Sequence, residues 1–383
     1  MNADFLVIGG GMSGASVAAE LSRHGSVLLL EQESQPGYHS TGRSAAAFIP
    51  SYGARCASLR SLTLASMAFF QLDADGAIDV PLLRRRGLIT IGSTEEFRSA
   101  GQEREHVASL IPGHIHELSP AETQGHLPGL KLDWSTQAWF EPDVFDIEVA
   151  VAHQFYLKML SANGGVVEAN ARVEEIQRQN STWQVTTRKG EFQGSVLINA
   201  AGAWASEIGE MACAQTIALQ PLQRTALCID APGQIDCQHF PLVLDHSGSF
   251  YMKPDAGQLL ISLADEKPSV ACDAQPDELD IAHAVHNVQQ AFDFDVRRVN
   301  HAWAGLRTFS PDREPVIGFD ACAEGFFWLA GHGGHGIQIA PATARLACAL
   351  ITHQPIPKDI DSSGFVCADV SPERFLNNAA AAV

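Results

Sequence analysis

The chain has 383 residues, with 44 Asp or Glu against 25 Lys or Arg, a net charge of −19 with histidine neutral. That balance excludes a nucleic-acid or anionic-membrane partner unless basic residues are gathered, and the one dense basic run, Arg84-Arg85-Arg86, is too short for a polyanion groove. Hydrophobic residues at 46% and charged residues at 18% exclude a disordered chain, and no apolar run reaches the roughly 20 residues of a membrane span. The length exceeds the roughly 250–300 residues at which a single core stops growing, so two domains are expected. Eight dispersed cysteines without a CxxC pair, and an acidic Asp4 before the first apolar run, predict a cytoplasmic protein with reduced thiols.

Phe5–Ile8 reads as a short strand, Gly9-Gly10-Gly11-Met12-Ser13-Gly14 follows at once, and Ala15–His24 carries a helical pattern closed by Gly25. Val27–Leu30 is a continuous apolar run, as in a strand buried on both faces, and ends at Glu31. Together these make a βαβ unit with the context that a dinucleotide fingerprint requires. Gly9 makes the tight turn, Gly11 admits a pyrophosphate and Gly14 lets the helix pack on the strand, while Glu31 can accept ribose hydroxyls. The fingerprint alone leaves NAD and FAD open.

From 47 to 144 the pattern predicts a helix near Ala54–Leu72, a strand at Leu88–Ile91 and a second helix near Glu95–Ser109. Helical periodicity returns at Phe145–Ser161, and strands are expected at Val166–Ala169, Arg172–Arg178, Trp183–Thr187 and Ser195–Ala200. The segment from 213 to 310 reads as strand-rich, with runs at Ala226–Ile229, Ser249–Lys253 and Leu259–Ser262. Phe326–Ala330 is a buried strand leading into Gly331-His332-Gly333-Gly334-His335-Gly336 and a helix to about His353, and Asn377–Val383 reads as a poorly structured tail. Small residues at Ala201 and Gly202, before Trp204, would let that strand end approach a cofactor. The Gly331–Gly336 loop would turn backbone N–H groups toward a ligand. His332 and His335 have metal-like spacing but no acidic neighbour, so no metal is expected.

With Gly37–Ala46, Ser249–Gly257, Ala302–Phe309 and Gly333–Gln338 added, the sequence resembles the glycine/D-amino acid oxidase (DAO) family of flavoenzymes, in its D-arginine dehydrogenase-type branch. The resemblance spans nearly the whole chain and implies an α/β fold of two domains: a Rossmann-like FAD-binding domain from 1–46, 145–212 and 313–383, and a mixed-sheet substrate-binding domain from 47–144 and 213–312. It implies non-covalent FAD, since no cysteine lies in Gly305–Pro311, and oxidation of the Cα–N bond of a D-amino acid to an imino acid that water hydrolyses. Arg224 and Arg307 match the arginines that grip the substrate carboxylate, with Tyr52 and Tyr251 flanking it and the Gly334 backbone and His335 at the site mouth. Cofactor contacts carried over are Gly9, Gly11, Met12, Ser13, Gly14, Glu31, Gln32, His39, Ser40, Thr41, Arg43, Ser44, Ala45, Ala46, Val173, Ala201, Gly202, Trp204, Gly333, Gly336, Ile337 and Gln338. Arg43 suits either a phosphate or flavin contact or a structural ion pair.

Two departures from that pattern bear on specificity: Ala47 replaces an active-site histidine, and Leu88 replaces a glutamate that would hold a guanidinium. The expectation is an apolar pocket for neutral D-amino acids and poor turnover of arginine and lysine. Had one of Arg84, Arg85 and Arg86 turned inward an acidic substrate would fit better, but three solvated arginines are expected. The resemblance also implies that an oxygen-activating lysine would stand in the strand corresponding roughly to Leu259–Ser262, and its absence there favours a quinone-type electron acceptor over O2. The rival readings are a flavoenzyme for secondary amines or 2-hydroxy acids, an NAD-dependent dehydrogenase, and a non-catalytic flavin-binding subunit.

Overall fold

The computed structural model describes residues 1–52, 56–72, 78–92, 107–109 and 114–381. Two large sheets organise it. The first has eight strands among the described residues, and Asn2–Ile8 lies parallel between Val27–Leu30 and Gly190–Asn199. Phe326–Ala330 continues the parallel run beside Gly190–Asn199. These strands bury both faces, under Met12–Leu21 and Gly336–Ile351 on one side and around Ile208, Ile217 and Trp328 on the other. That burial is why they read as unbroken apolar runs rather than alternating ones.

The second sheet has nine strands among the described residues and is mostly antiparallel, built around the long strand Gln220–Asp230 and its partner Val299–Phe309. Its side chains alternate. Leu227, Ile229, Val243, Met252, Ile261 and Ile89 face a core completed by Ala284 and Val288 of the helix Glu278–Ala291. The intervening residues, among them Arg224, Arg307 and Tyr251, face the other way, toward the first sheet.

The local expectations differ from the structure in four places. The helix Glu278–Ala291, opened by Asp277 accepting from the Leu279 N–H, lies inside the segment that read as strands. Phe145–Ile147 is a strand rather than the start of a helix, because it pairs with Ala47–Phe48 and Leu83–Arg85; the helix begins at Val149. Arg86 is buried, held by Asp146 and backbone carbonyls, so the three arginines are not all solvated. The tail forms a 3-10 helix over Pro372–Ala381 where an irregular segment was expected. The first expected helix forms over Ala57–Phe70, and the second, apart from 107–109, lies outside the described residues.

Candidate active site

The two sheets face each other across one long cavity of about 1700 Å3, including the part open to solvent. Its floor is the first βαβ unit. Gly9 has a φ of +103°, and a Cβ on Gly14 would stand 1.8 Å from the Gly9 carbonyl oxygen, so the turn and the helix contact both require glycine. Glu31, 7% exposed, accepts from the Gly10 N–H at 2.8 Å and the Glu33 N–H at 2.8 Å. Burial raises its pKa and the two N–H bonds oppose that rise. Thr41 Oγ1 accepts from the Met12 N–H at 2.9 Å, which ties the following loop to the helix start and leaves Gly11 and Ser13 on the cavity wall.

Beyond that floor the wall runs through Gln32, His39, Ser40, Arg43, Ser44, Ala45, Val173, Ala201, Gly202 and Trp204, then Gly333, Gly334, Gly336 and Ile337, all expected from the sequence. His39 bonds Glu33 at 2.9 Å and leans on the Trp204 ring, and Ser40 donates to the Leu306 carbonyl at 2.6 Å. Arg43 lines the cavity, but its guanidinium is committed to Asp273 and to the carbonyls of Ala274 and Ala304, each 3.0 Å away. Its role is therefore the structural ion pair rather than a phosphate grip.

The second sheet closes the opposite side. Leu222 pairs with Arg307 and Arg224 with Gly305, so both arginines project from neighbouring strands on one face, and the missing side chain at Gly305 leaves Arg224 room. Arg224 donates to the carbonyls of Asp265 at 3.0 Å and Ala264 at 2.7 Å, and burial together with its like-charged neighbour Arg307 lowers its pKa. Arg307 differs: among the described residues its half-buried guanidinium has no hydrogen bond or ion pair, and Nη1 stands 3.3 Å from the position a Cβ on Gly334 would take. Tyr251 lines the cavity beside Arg224.

Several expected residues stand off the wall. Tyr52 and His335 meet edge to face at 5.3 Å, and Tyr52, 37% exposed, has its phenol pKa raised by lost hydration against the opposing field of Arg307. Gly14 packs on Gly9, and Ala46 turns its carbonyl to Lys253. Ala47 and Leu88 join Ile49, Val144, Leu242 and Leu244 in a small apolar cluster. Gln338 is the clearest correction. It is 3% exposed, accepts from the Ile49 N–H at 2.7 Å and donates to Thr63 at 3.1 Å, so it braces the helix instead of covering a flavin.

The sequence reading missed Tyr38, Arg172, Trp303, Thr308 and His332 on the wall. His332 carried a signal, its place inside the glycine loop. Burial drops its pKa to about 4, its Nδ1 is 3.5 Å from Ser13 Oγ, and its buried Nε2 has no hydrogen-bond partner among the described residues. Burial, with Arg307 and Arg313 nearby, takes His335 to about 4 as well. No group of three potential metal ligands occurs among the described residues.

Residues 4–350 match the DAO family, described as FAD dependent oxidoreductase. The chain belongs to that family. It is 26% identical to hydrogen cyanide synthase subunit HcnC of Pseudomonas aeruginosa, over 97% of each chain. It is 23% identical to the glycine oxidase of Geobacillus kaustophilus, over 93% of this chain and 95% of that one. The crystal structure of glycine oxidase from that species superposes with a TM-score of 0.83 at 22% identity over 97% and 98%, and L-proline dehydrogenase from P. horikoshii with 0.80 at 20% over 93% and 95%. The fold is thus the mixed α/β fold of this family, whose members depend on FAD. No D-arginine dehydrogenase-type branch stands out among these relatives, and no helix among the described residues is long and apolar enough to cross a membrane.

The residues present fit that cofactor. Gly9 and Gly11 of the glycine turn, the buried carboxylate of Glu31, His332 with its orphaned Nε2 and the start of the helix Gly336–Ile351 all border one cavity, with Gly14 packed behind Gly9.

Proposed function

We propose that this DAO-family enzyme oxidises D-amino acids with neutral side chains to imino acids, which water hydrolyses to 2-oxo acids and ammonia. Non-covalent FAD, when bound, supplies the acceptor for the hydride leaving Cα. In this reading the cofactor domain is 1–46, 145–212 and 313–383, and the substrate domain is 47–144 and 213–312.

The observation that carries the reading is the Arg307 guanidinium on the cavity wall, which has no hydrogen bond or ion pair to a described residue. A planar guanidinium can hold a carboxylate by two parallel bonds, which fixes how Cα points into the cavity. Arg224 has Nε and Nη2 engaged, so it contributes a fixed positive field and its remaining Nη1. Tyr251 lines the cavity, and Tyr52, off the wall and edge to face with His335, stands close enough to Tyr251 and the two arginines to feel their charge. Neither described histidine of the glycine loop suits a general base, with His332 and His335 weakened to pKa values near 4, and the Tyr52 phenol is raised. The substrate amine therefore loses its proton to solvent, and kcat/KM rises with pH on a substrate-like pKa.

In this reading the side-chain preference rests on position 88, where a leucine, packed in an apolar cluster behind the cavity wall, stands in place of a glutamate. The buried carboxylate directly across the ladder from it, Glu141, is already paired with His114 at 3.3 Å. A cationic side chain thus finds no glutamate at position 88, and the carboxylate across the ladder already has His114 beside it.

The test is anaerobic addition of D-amino acids to the purified flavoprotein, with L-enantiomers, sarcosine, proline and 2-hydroxy acids as controls, while the flavin absorbance is followed. Bleaching by neutral D-amino acids supports the reading, and admission of air separates O2 from a quinone-type acceptor. Bleaching by sarcosine, an L-amino acid or a 2-hydroxy acid alone would replace the substrate class, and a flavin that no substrate bleaches would favour a non-catalytic subunit.

A further inference from the structure

The sheet face that carries Tyr251 also carries Lys253 two residues on, and Lys253 is only 5% exposed. Its ammonium donates to Asp146 Oδ1 at 2.9 Å and to the Ala46 carbonyl at 3.4 Å. Asp146 is shared, because its Oδ2 accepts from Arg86 Nε at 2.7 Å. Arg86 also donates to the carbonyls of Cys237 and Phe240, each at 3.0 Å. Two buried cations thus divide one carboxylate, and among the described residues neither forms an ion pair with a second acid. A clip that only joined two segments would need a neutral pair, since surplus buried charge is expensive. The surplus also has a definite place. Ala46 directly follows Ser44 and Ala45 on the cavity wall, and Asp146 lies opposite Ala47 in the ladder.

We propose that Lys253 sets the electrostatic potential of the cofactor cavity, its surplus positive charge favouring the form of bound FAD that carries added negative charge. The proposal rests on the FAD assignment and is independent of which substrate is oxidised. Lys253 does not line the cavity, so it is a positioning residue that acts through space and through the Ala46 backbone. Its ammonium is one hydrogen bond from a carbonyl that adjoins the wall, which places it on the order of 10 Å from a group bound against Ser44 and Ala45. A unit charge at that distance, in an effective dielectric of about 20, shifts a charge-forming equilibrium about tenfold.

The experiment measures the midpoint potential of the bound flavin, by reductive titration against redox dyes, in the holoprotein and three variants. Lys253→Met leaves Arg86 and Asp146 as a neutral pair and lowers the reduction equilibrium constant about tenfold, roughly 30 mV for a two-electron couple. Lys253→Arg retains the wild-type potential. The double variant Lys253→Met with Asp146→Asn leaves Arg86 alone, restores the net charge, and recovers most of the shift. Less than a twofold change in Lys253→Met overturns the proposal. So does a double variant as low as the single one, since that outcome assigns the effect to the lost Ala46 contact. If Lys253→Met does not accumulate as holoprotein, Lys253→Gln takes its place with the same expected shift. A wild-type protein that takes up no FAD would refute the cofactor assignment itself, a result visible before any titration.

Discussion

Arg307 and Arg224 stand on adjacent strands of the same face, yet replacing each by methionine should affect stability differently. Arg307 has no hydrogen bond or ion pair to a described residue, while Arg224 supports two carbonyls at 2.7 and 3.0 Å. A bidentate grip on a substrate carboxylate is two charge-assisted bonds of about 1.5–3 kcal/mol each. Because Arg307 is only half-buried, the low end applies, and Arg307→Met should cost about 3–4 kcal/mol of transition-state binding, roughly a 10²–10³-fold loss in kcat/KM. Its melting temperature should stay level or rise, since the change also relieves repulsion with Arg224. Arg224→Met should lose activity and about 2–4 kcal/mol of stability together. The assay is anaerobic rapid mixing with the best amino acid from the substrate panel, alongside thermal melts and the flavin-to-protein absorbance ratio. A flavin-replete Arg307→Met protein within tenfold of the wild-type kcat/KM would refute the carboxylate grip.

Gly14→Ala should purify without flavin or fail to fold, because its Cβ would be driven to 1.8 Å from the Gly9 carbonyl; the flavin-to-protein ratio reads this directly. Stability should fall on acidification: His332 and His335, near 4 in the fold against about 6.5 unfolded, make the unfolded chain bind more protons as pH drops from about 7 to 4. Each contributes on the order of 2–3 kcal/mol that is fully present above pH 6.5 and lost toward pH 4, so melts of His332→Asn and His335→Phe across that range should be flatter than wild type. Gln338→Ala should lower stability by about 1–3 kcal/mol, by stranding the Ile49 N–H, and leave KM unchanged; a raised KM would return Gln338 to the pocket.

The readable parts of this fold are those whose signal is local. The first βαβ unit announces itself because strands buried on both faces need no partner information to read as apolar runs, and because glycines at 9 and 14 are required by the backbone itself. The misread parts depend on partners far along the chain. Phe145–Ile147 is a strand only because Ala47–Phe48 and Leu83–Arg85 flank it, and Arg86 is buried only because Asp146 waits sixty residues away. The helix Glu278–Ala291 was legible and missed: Ile281, Ala284, Val285 and Val288 follow helical spacing behind an Asp277 cap, but the strands around it set the expectation. Gln338 failed on phase. Successive helical residues turn by about 100°, so with Ile337 on the cavity wall Gln338 points to Thr63 instead.

The substrate end of the site was legible in part, for a reason that bears on its chemistry. Replacing a glutamate by Leu88 removes a charge from one strand, but ladder geometry decides what the pocket face carries, and residues directly opposite each other point to the same side. Glu141 occupies that opposite position, 53 residues along the chain and only 3% exposed. The face therefore retains a carboxylate that no reading of position 88 could reveal. Its Oε2 lies 3.3 Å from His114 Nε2, while Leu88 itself joins Ile49, Val144 and Leu242 in an apolar cluster. The neutral-substrate preference proposed above thus turns on Glu141 and its His114 neighbour as much as on Leu88, since Leu88 and Glu141 stand opposite each other on one face of the sheet.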